Sequence, residues 1–145
     1  MRHWFTAALA ALFAALAPSV PSAHPHVWIQ AETALVFEGD RIVAVTVDWK
    51  FDGFFSLILF EDFDTDRDGA FFVVEGAAMR AGAFTGLGEV GYFTYLKASG
   101  ETRAWGTPFD FAVGVHEGGE VVSYGFTLPL AEPVDYADGA VSLSL

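Results

Sequence analysis

The chain has 145 residues, of which 7 are basic and 19 acidic, giving a formal net charge of −12, and it has no cysteine. So acidic a balance speaks against nucleic acid and anionic membrane as partners and favours cations. Without cysteine there is no disulfide and no soft thiolate ligand, which leaves histidine and carboxylate for any metal.

Arg2 and His3 precede an uncharged apolar run, Trp4 to Ala17, and a small-residue tail, Pro18 to Ala23. This is the layout of a secretory signal peptide over residues 1–23, and the run is short for a transmembrane helix. The expectation is an exported chain, residues 24–145, forming one periplasmic domain with no membrane insertion of its own. Cleavage after Ala23 makes His24 the first residue, and cleavage after Ser22 is the alternative.

His24-Pro25-His26 then carries two imidazoles near a free amine, a donor set suited to Zn²⁺, Ni²⁺, Co²⁺ or Cu²⁺. A pair of solvated histidines stiffened by Pro25 is the plainer reading. Downstream, Val27, Ile29, Ala31, Thr33, Leu35 and Phe37 alternate with polar residues, as do Val43, Val45, Val47, Trp49 and Phe51. With turn chemistry at Glu38-Gly39-Asp40-Arg41 these form a β-hairpin. The apolar positions are odd in both strands, so paired numbers must sum to an even value. A two-residue Gly39-Asp40 turn gives an odd sum, so the expected loop is longer and pairs Phe37 with Val43. Glu32 then faces Asp48, and Gln30 faces Lys50.

Residues 53–90 change period. Phe54 to Phe60 is apolar almost all round and predicts a short buried helix. Val73 to Leu87 predicts a second helix, weakened by Gly76, Gly82, Gly86 and Gly88. Between them lies the most specific stretch of the sequence. Asp64, Asp66, Asp68 and Glu75 occupy positions 1, 3, 5 and 12 of a loop with Gly69 at position 6, the ligand spacing of an EF-hand. Ca²⁺ takes 6 to 8 oxygens, so several carboxylates must converge, and Gly69 permits the sharp turn. Ala70 contributes a backbone carbonyl at position 7. Phe71 stands where Ile, Leu or Val is usual, and Phe72 cannot hold a water at position 9, which points to modest affinity. The competing reading is a surface turn whose acids face water.

Tyr92–Ala98, Phe109–His116, Val121–Leu130 and Val141–Leu145 read as strands separated by turns at Ser99-Gly100 and Gly118-Gly119. The fold class is therefore α+β, a mainly antiparallel β-sheet or sandwich with an EF-hand-like helix–loop–helix insertion. The chain stops inside the last strand-like run, as if a C-terminal strand were missing. His116 is a further histidine, read as a surface residue. Asp48 and Glu32 are a conceivable carboxylate pair, but no nucleophile or zinc motif accompanies them, so the protein is not read as an enzyme.

These residues carry a resemblance. His24-Pro25-His26-Val27-Trp28, Trp49-Lys50-Phe51-Asp52, Phe55-Ser56, the run Asp62 to Gly69 with Glu75, Tyr92-Phe93-Thr94, Pro108-Phe109 and Leu128-Pro129-Leu130 occur in this order. The sequence is similar to the bacterial domain-of-unknown-function family 1007, labelled periplasmic components of an uncharacterised ABC-type transport system. The resemblance implies metal handling beside a membrane transporter, a nickel/cobalt-type permease. It bears on His24 and His26, and on Asp64, Asp66, Asp68 and Glu75. Members of that family usually continue past this C-terminus with a tyrosine-rich Asp-Pro segment. A calcium-stabilised interaction or adhesion module without a transition metal is the second reading.

Overall fold

The computed structural model describes residues 27–145. The alternating segments pair as their patterns require. Strands β1 (Ile29–Glu38), β2 (Arg41–Phe51), β5 (Phe109–His116) and β6 (Val121–Asp135) form one antiparallel sheet in the order β1-β2-β6-β5. Strands β3 (Tyr95–Ala98), β4 (Glu101–Thr102) and β7 (Val141–Ser144) form a second in the order β4-β3-β7. Helices α1 (Gly53–Phe63) and α2 (Val73–Met79) lie between β2 and β3 in the chain. The architecture is α+β and mostly antiparallel.

The parity argument for the hairpin holds along most of its length, by a different device. The turn is the two-residue one, with Glu38 opposite Arg41 and Phe37 opposite Ile42, not Val43. Gly39 takes φ +60°, the left-handed region this turn needs. A β-bulge then shifts the register by one, so that Val36 pairs with Ala44. Beyond it, Glu32 faces Asp48 and Gln30 faces Lys50, as expected. The bulge rescues the hydrophobic face that so short a turn alone would invert.

That face is the core. Ile42, Val45, Val47, Trp49 and Phe51 of β2 are buried beside Val122, Tyr124, Phe126 and Leu128 of β6. Leu96 and Ala98 of β3 are buried with them in one cluster. Aromatic rings meet edge to face: Trp49 on Phe126 at 5.0 Å, and Phe51 on Tyr124 at 4.8 Å. Phe109 leaves the expected alternation. Asp110 adopts φ +54° in a second bulge, and Phe109 then pairs with Thr127 and is 45% exposed.

The insertion packs its own residues onto this cluster. Helix α1 buries Leu59 and Ser56, but it is not buried all round: Phe54 and Leu57 are 63% and 54% exposed. A single helix lying on a sheet hides only one face. The second helix is α-helical only to Met79. A π-turn (Arg80–Phe84) and an irregular 3₁₀ segment (Thr85–Phe93) replace its expected remainder, so β3 begins at Tyr95, not Tyr92. A Cβ on Gly82 would lie 3.3 Å from the Phe63 ring, so glycine here serves close packing rather than helix continuation. Phe84 fills the space gained, 4.5 Å from Phe111 and 4.8 Å from Phe126. At the far end β6 runs on to Asp135, five residues past the expected Leu130, and β7 ends at Ser144.

Candidate metal centre

Helix α1 delivers the loop. Its entrance is fixed twice. Asp52 caps it, accepting from the Phe55 N–H at 2.8 Å and from the Trp28 N–H at 2.7 Å. Those bonds hold the Asp52 carboxyl below its ordinary 3.8. One turn on, the fully buried Ser56 Oγ accepts from the Val122 N–H of β6 at 3.0 Å. The helix is thereby tied to the sheet by a polar bond as well as by Leu59. It ends at Asp64, whose N–H donates to the Phe60 carbonyl at 3.1 Å.

The chain then folds over its own carboxylates. Asp64 Oδ1 accepts from the Asp68 N–H at 3.2 Å, and Oδ2 accepts from the Gly69 N–H at 3.0 Å. Asp66 Oδ1 also accepts from the Asp68 N–H, and Asp68 Oδ1 accepts from the Ala70 N–H at 2.9 Å. Arg67 and Gly69 take φ +61° and +79° to make this possible. As a result, one oxygen from each of Asp64, Asp66 and Asp68 lies within 4.8 Å of the others. Two oxygens bound to one Ca²⁺ stand at most about 5 Å apart, so the spacing suits a single hard cation. Lost hydration pushes the Asp66 carboxyl above its ordinary 3.8, with the charges of Asp68, Glu75 and Asp64 adding to the effect and the Asp68 N–H opposing it. A cation would relieve that repulsion.

Glu75 is placed differently. It is 6% exposed in the first turn of α2, and its Oε1 accepts from both the Thr65 N–H, at 2.7 Å, and the Thr65 hydroxyl, at 2.9 Å. These bonds hold it below its ordinary 4.5. The position-12 carboxylate therefore closes the loop onto position 2, and it stands outside the three-aspartate group. Ala70 is held by its N–H bond to Asp68, while Phe72 is 65% exposed. Phe71, at position 8, stacks on Phe60 at 4.9 Å, joining the helix that enters the loop to the segment that leaves it. The ligand spacing gave no sign of Thr65 or of the Phe60–Phe71 stack. The aromatic at position 8 was the one available clue.

The profile of a family described as "Protein of unknown function (DUF1007)" matches residues 9–145. The chain belongs to this family. No curated protein and no solved structure matches. The family assignment agrees with the resemblance seen in the sequence.

Among the described residues, no other group of histidines and carboxylates is gathered that could hold a metal. His24 and His26 lie outside the described residues. His116 Nε2 is 2.8 Å from Ser123 Oγ and joins no group that could hold a metal among the described residues. Asp48 and Glu32 face each other on the open side of the sheet. Lys50, two residues on from Asp48, pairs with Glu117 at 2.8 Å. No helix among the described residues is long and apolar enough to cross a membrane.

Proposed function

We propose that this protein is an exported, non-enzymatic metal-binding accessory of a membrane transport system. In this reading Asp64, Asp66 and Asp68 hold Ca²⁺, with the Ala70 carbonyl and Glu75 completing the protein's share of the site. His24 and His26 bind or pass on a transition metal in the periplasm, Zn²⁺, Ni²⁺, Co²⁺ or Cu²⁺. The observation that carries it is the convergence of the three aspartate oxygens on a backbone turned to hold them. The donor set is all oxygen and, apart from the Ala70 carbonyl, anionic, which selects a hard cation over a soft one. Affinity on the order of 10⁻⁴ to 10⁻³ M, that of extracellular modules, matches a loop with an aromatic at position 9.

Titration calorimetry with Ca²⁺ tests the first half. Saturating calcium should raise the melting temperature, since a ligand at 100 times its Kd adds about 2.7 kcal/mol. Glu75→Gln and Asp66→Asn should each weaken that response. Equal melting with calcium and with chelator would remove the calcium assignment. The transition-metal half needs protein with a defined mature N-terminus. Zn²⁺, Ni²⁺, Co²⁺ or Cu²⁺ should bind it more tightly than His26→Ala. If no such difference appears, the second reading takes over, a calcium-stabilised interaction module.

A further inference from the structure

A cleft of about 590 Å³ opens on the side of the molecule formed by the 3₁₀ segment, β3 and the chain between β4 and β5. Its size falls within the usual range for small-molecule sites. Its chemistry sets it apart from the rest of the chain. The protein carries 19 acidic residues against 7 basic ones, yet no aspartate or glutamate lines this cleft, and Arg103 does.

The Arg103 guanidinium is under-used. Its Nη2 donates one long bond to the Ala98 carbonyl at 3.4 Å, and Nη1 stands 3.9 Å from Glu101, a side chain 79% exposed to water. Its Nε is buried with no hydrogen-bond partner. Five N–H donors in a rigid fork are therefore met by two weak contacts. Its two Nη groups are suited to donate two parallel bonds to a planar or tetrahedral anion.

The walls are aromatic and fixed in place. Trp105 donates its indole N–H to the Thr94 carbonyl at 2.8 Å, and Tyr95 donates its hydroxyl to the Val90 carbonyl at 3.2 Å. Tyr92 lies over Gly88, where a Cβ would come within 3.1 Å of the hydroxyl. The backbone beneath is stitched to its neighbours: Arg103 N–H to the Leu96 carbonyl at 2.8 Å, and Gly106 N–H to the Pro129 carbonyl at 2.7 Å. Gly91, Tyr92 and Phe93 all adopt left-handed φ, from +47° to +61°. Two consecutive non-glycine residues stay in that region only when their surroundings hold them there. The rings are thus set before any ligand arrives, which lowers the cost of binding.

We infer that this cleft binds a small organic acid, with a flat apolar body between the aromatic walls and its anionic oxygens on Arg103. The shared chemistry covers a carboxylate and a phosphate ester. The site is separate from the aspartate loop and owes nothing to a metal.

The test is amide and indole chemical-shift titration of isotopically labelled protein with benzoate, phenyl phosphate and neutral benzamide. Saturable shifts confined to Tyr92 and the Arg103–Thr107 segment are expected with benzoate or phenyl phosphate, whichever is tighter naming the anion. Benzamide should bind at least about tenfold more weakly, the loss of one charge-assisted contact. Arg103→Gln, confirmed folded by its spectrum, should lose the same factor. Equal binding of benzamide overturns the inference without reference to any variant. So do shifts that map elsewhere, full affinity in folded Arg103→Gln, or no saturation by any probe at millimolar concentration.

Discussion

Ser56→Ala is the sharpest probe of how the insertion is held. Ser56 has no exposed surface, and its hydroxyl oxygen receives the Val122 backbone N–H at 3.0 Å. Alanine fits the space but leaves that N–H facing a methyl group, beyond the reach of β2, whose pairing with β6 ends at Lys50–Ser123. An unsatisfied buried donor costs about 1–3 kcal/mol, and the small void adds little. For a domain of this length a loss of 2 kcal/mol lowers the melting temperature by roughly 6–12 °C. Denaturant unfolding gives the free energy directly, and the slope should not change, because the same surface is exposed on unfolding. Amide exchange supplies the second reading: Val122 should lose protection while Val45 and Val47, deep in the sheet, keep theirs. A variant with unchanged midpoint and an equally protected Val122 would refute the reasoning, since the bond would then carry no weight.

Asp52→Ala removes the cap of α1 and should cost about 1 kcal/mol in denaturant unfolding. The Asp52 carboxyl sits below its ordinary 3.8, so its contribution is present above that value and fades as the pH falls through the lower folded one; Asp52→Asn should flatten the acid limb of the stability profile below pH 3.8. Thr65→Val removes a hydroxyl that competes for Glu75, so calcium affinity by calorimetry should rise about tenfold, the factor for one bond to a charged acceptor; unchanged affinity would exclude Glu75 as a ligand. At Gly114 a Cβ would lie 2.7 Å from Ser123 Oγ and 3.0 Å from His116 Nε2. Gly114→Ala should therefore lower the melting temperature, and adding Ser123→Ala should restore part of the loss.

What the sequence made legible follows from what each signal depends on. Strand alternation depends on neighbours two residues apart, so β1, β2, β5 and β6 were readable, and so was the need for an even register. The bulge that achieves it was not, because a bulge at the Val43 side of the turn and a longer turn satisfy the same parity. Asp110 is the same case: aspartate tolerates the left-handed region, but nothing in the run Phe109-Asp-Phe111 says that it uses it. The three aspartates and Gly69 were legible because their spacing is that of an ion-binding loop. Glu75's bond to Thr65 was hidden, since it is a choice between an ion and a hydroxyl that spacing cannot express. The Arg103 cleft was invisible for another reason. Its residues come from two segments, 88–95 and 102–108, and the pairing of β3 with β4 and the Trp105–Leu130 bridge hold the second against the first.

The loop's own bonds decide what a bound cation would have left to do. Four backbone N–H bonds to Asp64, Asp66 and Asp68 and two bonds from Thr65 to Glu75 shape the turn with side chains alone. Phe60 on Phe71 joins its two ends. The core beneath it, from Trp49 and Phe126 to Phe84, is apolar and draws no residue from the ligand set. A zinc finger, by contrast, has almost no core and folds only when its metal arrives. Here the core stands apart from the ligand set, so the work proposed for the ion is to offset the crowding of carboxylates at Asp66. Amide exchange should therefore slow most in the loop and α2, where buried Glu75 is one helical turn from buried Met79, while in the edge strand β1 only amides that exchange through global unfolding should slow.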